Sequence, residues 1–190
     1  MSSKKVFFLI LIFFFQFSSF AQKIEEESRV SEDVVPEKAL TFVSELGLKN
    51  KTKWYKERTS GRDSYECKFK ANSKFYSVEF DTLGVIEDIE VLVKKRKLTQ
   101  EELRSLESGI LKEFEKFKWV KIQRQFKGTN SELNKLITDT NETIPHNFEV
   151  ELEGKSSEDG WKMYELLLSP NGEILMKREI QLRPTDNLNY

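Results

Sequence analysis

Tyr76-Ser77-Val78-Glu79-Phe80-Asp81-Thr82-Leu83-Gly84-Val85-Ile86 and Tyr164-Glu165-Leu166-Leu167-Leu168-Ser169-Pro170-Asn171-Gly172-Glu173-Ile174 are the stretches on which the fold reading turns. They align without a gap at a constant offset of 88, pairing Tyr with Tyr, Val78 with Leu166, Phe80 with Leu168, Gly with Gly and Ile with Ile. Three of the matched residues fall at period two, the spacing of one face of a strand. Each glycine sits where a tight turn needs a positive φ. The pair reads as one β-hairpin used twice.

Outward from the first hairpin, Pro36 is placed to start a helix. Val35, Ala39, Phe42, Val43 and Leu46 recur at helical spacing up to Gly47, which predicts a helix over 36–46. Period-two segments follow at 52–59, 65–70, 75–80 and 85–93, separated by turn residues. Lys94-Lys95-Arg96-Lys97 reads as a solvated connector. Thr99 and Glu102 then form a capping box, with Leu98 able to staple onto Leu103. The stripe Leu103, Leu106, Ile110, Leu111, Phe114, Phe117 predicts a second helix facing a core, weakened modestly by Gly109. Strands are expected at 119–126, 148–152, 161–168 and 174–182.

Each helix runs into Lys-Trp, at Lys53-Trp54 and Lys118-Trp119. Those tryptophans lie 65 apart against 88 for the hairpins, so the second half carries an insertion of 23 residues near 128–146. Within it, Ser131 to Ile137 has the pattern of a helical turn. The expected fold is α+β: two repeats, 35–94 and 98–183, each a helix packed on a four-stranded antiparallel meander. The repeated tryptophan is expected to plug the helix–sheet junction, with ligand stacking as the sharper alternative.

The 190 residues carry 31 Lys and Arg against 32 Asp and Glu, 38% hydrophobic residues, one Cys and one His. No basic field argues for nucleic acid. One cysteine excludes an intramolecular disulfide framework, and one histidine the usual multi-His zinc sites. Lys4 and Lys5, the run Val6 to Phe15, and Ser19-Phe20-Ala21 read as a secretory signal peptide cut between Ala21 and Gln22. The apolar run is about half of the roughly 20 residues a spanning helix needs, so no stable membrane span is expected after cleavage. Removing 1–21 takes two lysines and no acid, leaving a net charge of −3. Residues 22–34, rich in Glu and Ser, are expected to be a flexible leader. The location implied is periplasmic or secreted.

The Val35-Pro36 helix, the Lys-Trp after each helix, and the two hairpins with Gly84 and Gly172 together resemble the PepSY-like family of exported bacterial proteins. That fold is similar to the tandem repeats of β-lactamase-inhibitor protein. The resemblance covers Val35 to about Leu182. It implies a non-catalytic binding module, in some members inhibitory, and supplies no ligand residues to carry over.

Alternation names a candidate binding face. If Tyr65, Cys67 and Phe69 face the helix, Glu66, Lys68 and Lys70 face away. Likewise Glu149, Glu151 and Glu153 oppose Phe148, Val150 and Leu152. An acidic stripe beside a mixed one suits a basic protein or peptide in the envelope or medium. The insertion is a second candidate surface. Asp81, Glu87, Asp88 and Glu90 suggest a calcium- or small-ligand-binding alternative, though without the spacing of a known calcium loop. A hydrolase is a weaker reading. No phosphate loop, nucleophile elbow or HExxH occurs, so no catalytic residue and no cofactor is expected. Cys67 reads as a small buried hydrophobe and His146 as a solvent-facing loop residue.

Overall fold

A computed structural model of the chain describes residues 22–23, 25–59, 61–139, 144–157 and 160–180. The signal segment and its cleavage point lie outside them, as does the end of the last expected strand. Helix α1 spans Glu37–Glu45, α2 Gln100–Glu113 and α3 Asn130–Thr138. The strands are β1 (Gln22–Lys23), β2 (Glu25–Val30), β3 (Lys53–Thr59), β4 (Arg62–Ala71), β5 (Lys74–Phe80), β6 (Ile86–Leu92), β7 (Lys116–Phe126), β8 (His146–Ser156), β9 (Gly160–Leu168) and β10 (Ile174–Ile180).

The expectation of two repeats, each a helix on its own four-stranded sheet, does not hold. β2 to β10 form one continuous antiparallel sheet in chain order. The join is β6 with β7, where Ile89 faces Phe126 and Leu92 faces Gln123. An unpaired strand edge exposes a row of N–H and C=O groups, and pairing the two edges satisfies both. The leader is not free either. Glu25 to Val30 pairs with Thr59 to Trp54, adding β2 as a further strand. Its lack of apolar period hid it, since of the residues Glu26 to Val30 only Val30 reaches the core.

The three helices pack on one face of the sheet, over two apolar clusters. The first contains Ala39, Phe42 and Val43 of α1 with Trp54, Cys67, Val78, Phe80 and Ile89, and also Leu133 and Ile137 of α3. The second contains Leu106 and Ile110 of α2 with Ile122, Phe148, Val150, Leu166 and Leu168. Trp54 is buried against Phe80, at 5.8 Å between ring centroids, as a junction plug would be. Trp119 is half-buried instead, edge-on to Phe117.

Both later helices are set by capping boxes. Thr99 accepts from the Glu102 N–H at 3.1 Å while Glu102 accepts from the Thr99 N–H at 2.7 Å. Thr129 and Glu132 repeat the arrangement at α3. Gly109 does more than weaken its helix. A Cβ there would lie 1.9 Å from the Gly172 carbonyl oxygen, and one on Gly172 would lie 2.0 Å from that of Ser105. The two glycines let α2 rest backbone to backbone on the β9–β10 turn.

Among the described residues no helix is long and apolar enough to cross a membrane.

Candidate functional site: an acidic concave face

The face opposite the helices is where the sheet carries its charge. Register places Glu66 across from Glu79, Glu79 across from Asp88, Glu90 across from Gln125, and Gln123 across from Glu149. The helices bury their apolar residues against the other side. A flat uncovered face would be solvated, yet Glu66, Ser77, Asp88, Glu90, Gln123, Gln125 and Glu165 are each no more than 8% exposed.

Curvature accounts for this. Lys23 pairs with Ile180 at one end of the sheet, and Glu25 with Thr59 at the other. Two residues apart in the chain, their Cα atoms are within about 7 Å of each other. The two ends therefore approach one another, and the sheet rolls round with its polar face inward. Side chains on the inside of such a roll bury one another.

The charge on this face is unbalanced by depth. Among the described residues, the buried Asp, Glu, Lys and Arg side chains are all acids: Glu57, Glu66, Asp88, Glu90 and Glu165. The cations that meet them, Lys68, Lys121 and Arg178, are only half-buried. Lys68 bridges Glu66 at 2.8 Å and Glu27 at 3.0 Å. Burial pulls its pKa down, but Glu66 and Glu27 outweigh it and hold the ammonium above its ordinary value. Lys121 pairs with Glu151. Burial again opposes its charge and Glu151, Glu90 and Glu149 prevail, so it too is raised. Arg178 lies 3.6 Å from Glu165.

Asp88 and Glu90 are held differently. Gln125 donates to Asp88 at 3.1 Å and Gln123 to Glu90 at 2.7 Å, both through Nε2. Lys127 reaches Asp88 only at 3.6 Å, from a mostly solvated position. Burial pushes the Asp88 carboxyl up to about 6, with Lys127 opposing and Glu87 and Glu66 reinforcing. Glu90 is raised by burial first, then by Glu149 and Glu79. One oxygen from each of Glu79, Asp88 and Glu90 lies within 4.8 Å of the others, and the same is true of Glu27, Glu57 and Glu66.

Of the expected binding residues, Glu66, Lys68, Glu149 and Glu151 share this concave face, where Glu149 is hydrogen-bonded to Glu90 and Glu151 is paired with Lys121. Glu153 lies towards its end, paired with Lys118 at 2.7 Å. Lys70 is exposed, with its ammonium 5.3 Å from the centroid of the Phe75 ring. Glu79, Lys121, Gln123 and Gln125 escaped the sequence reading. Their signal was alternation on the polar side of β5 and β7. The grouping of Asp81 and Glu87 with Asp88 and Glu90 is not seen. Asp81 caps its own turn, accepting from the Leu83 and Val85 N–H groups at 2.8 Å, and Glu87 pairs with Arg62.

On the helix side, His146 is not a solvent-facing loop residue. It opens β8 between the rings of Phe126 and Phe148, at 5.2 and 5.0 Å. Burial and then Arg124 lower its pKa. Cys67 is fully buried, and burial raises its thiol far from the reactive range.

No family model matches the chain, and no curated protein matches it. Solved structures of similar shape include two DUF2874 family proteins. That from Bacteroides uniformis ATCC 8492 is 12% identical, with a TM-score of 0.50, over 76% of this chain and 89% of its own. That from Bacteroides ovatus ATCC 8483 is 16% identical, with a TM-score of 0.49, over 76% of this chain and 87% of its own. At such identity the likeness to the first concerns the fold alone.

Proposed function

We propose that the chain is an exported, non-enzymatic binding module that holds a Lys- or Arg-bearing segment of another protein against its acidic concave face, and thereby inhibits or regulates that protein. The observation that carries this reading is the difference in burial between the charges: acids less than a tenth exposed, beside cations that are only half-buried. Carboxylates withdrawn from water without a matching buried cation are costly. A basic side chain entering from a partner would offset that cost and gain attraction in a low-dielectric site. The resemblance to PepSY-like proteins, which implies exported non-catalytic binders, points the same way.

The test is fluorescence anisotropy with labelled basic and acidic decapeptides against the purified protein. The basic peptides are expected to bind, more weakly as salt rises. The double variant E149K/E151K is expected to lose at least tenfold in affinity. Equal binding of basic and acidic peptides, or an unchanged E149K/E151K, would overturn the reading.

A further inference from the structure

We propose that Glu79, Asp88 and Glu90 form a binding site for a divalent cation, calcium by size and donor type, on the floor of the concave face. Glu79 stands on β5 directly across from Asp88 on β6, and Glu90 follows two residues later on the same side. One oxygen from each lies within 4.8 Å of the others. Two oxygens at about 2.4 Å from one calcium ion can be at most about 4.8 Å apart, so the spacing of the three is within what one ion can bridge.

A cluster of acids alone would say little. The second observation is a set of buried acceptor oxygens with no donor. Gln123 and Gln125 are 6% and 8% exposed, and Oε1 of each lacks a hydrogen-bond partner. So does Asp88 Oδ1. Each glutamine amide is held at the cluster by its Nε2, on Glu90 or Asp88, so half a turn about its last bond would bring its orphan oxygen to the same place. A buried acceptor without a donor costs about 1–3 kcal/mol, and a native fold leaves few of them.

A hard cation is the group that satisfies carboxylate and amide oxygens together. Turning either amide about its last bond would exchange Nε2 for Oε1 and present a neutral oxygen ligand where a carboxylate now accepts an N–H. Lys127, 3.6 Å from Asp88 and well solvated, is placed to leave as the ion enters. Calcium suits this irregular set better than magnesium, which demands a near-ideal octahedron and keeps its water.

The site shares Asp88 and Glu90 with the buried acids behind the peptide reading, but its three ligands do not include Glu149 or Glu151, so the two are tested by different variants. The experiment is isothermal titration of CaCl2 into the purified, EDTA-dialysed protein, with thermal unfolding in parallel. One ion per chain is expected, with Tm rising by about 5–10 °C at a hundredfold excess over Kd. The variant E79Q/D88N/E90Q should fold, since it removes buried charge at nearly constant shape, and should lose both responses. E66Q should keep them. No heat and no Tm shift at about 10 mM calcium, well above the Kd of weak extracellular sites, would overturn the site. Binding that survives in E79Q/D88N/E90Q would overturn the assignment of its ligands, and an equal response to MgCl2 the assignment to calcium.

Discussion

The apolar faces of β3–β6 and β7–β10 are covered in different ways. Over the second, α2 alone spans the cluster, with fourteen residues, and descends until its backbone touches the β9–β10 turn at Gly109 and Gly172. Over the first, α1 has nine residues and is joined by α3, whose Leu133 and Ile137 are almost wholly buried in that cluster. The contrast shows why neither half is a unit. The second half lends the first a helix, and the two share a sheet through β6 and β7.

The largest effect is expected where the second half is tightest. Gly172→Ala places a Cβ 2.0 Å from the Ser105 carbonyl oxygen at a positive φ, and the atoms it meets are backbone, with no flexible side chain to yield. A loss of more than about 4 kcal/mol is expected, by denaturant unfolding. Gly84 is the matching turn under α1. Its Cβ would meet Ala39 N and Pro36 Cβ at 2.9 Å, a milder clash. Gly84→Ala should cost about 1–3 kcal/mol. Equal losses would mean that the two helices are seated alike and break the comparison.

The next effect tests the loan. Leu133→Ala should destabilise the protein by about 3 kcal/mol, as for a filled core position. The change should also register at Trp54, which shares the cluster, as a shifted fluorescence maximum. A loss under about 0.5 kcal/mol would return α3 to the surface.

The sequence made much of this legible, but locally. Period two and the glycine turns placed the hairpins, and Thr99 with Glu102 placed the start of α2. What it could not show was the pairing of β6 with β7, which brings Glu90 and Gln123 together across 33 residues, because a strand's free edge carries no side-chain signature. The same blindness turned β2 into a leader. The Thr129-x-x-Glu132 box was available and would have promoted the insertion to a helix, with Leu133 and Ile137 as its apolar stripe. The candidate site was half visible. Alternation put Glu66, Glu149 and Glu151 on one face, but only the rolling of the sheet, a property of all its strands together, turns that face from solvated to buried.

The smallest effect carries the comparison onto the concave face. In the second half Glu151 has Lys121 beside it, whereas Asp88 of the first half has only amide donation from Gln125 and a distant Lys127. Its folded pKa of about 6 lies above the ordinary carboxylate value near 4. Folding therefore takes up a proton between those two values. By linkage, this group's contribution is most favourable below about pH 4, is lost as pH rises towards 6, and stays lost above it. Glu90 is raised in the same direction, and the charges of the neighbouring Glu87 and Glu66 are part of what raises Asp88. Asp88→Asn removes the ionisation while keeping the shape. In EDTA it should match the parent near pH 4 and exceed it by about 1–2 kcal/mol at pH 7, read as the gap between two Tm curves against pH. A gap that narrows as pH rises would mean that Asp88 is stabilised as the anion by the chain itself, and that the first half is as well paired as the second. Saturating calcium should invert the gap at pH 7, because the parent's carboxylate then has its cation and asparagine offers a weaker ligand.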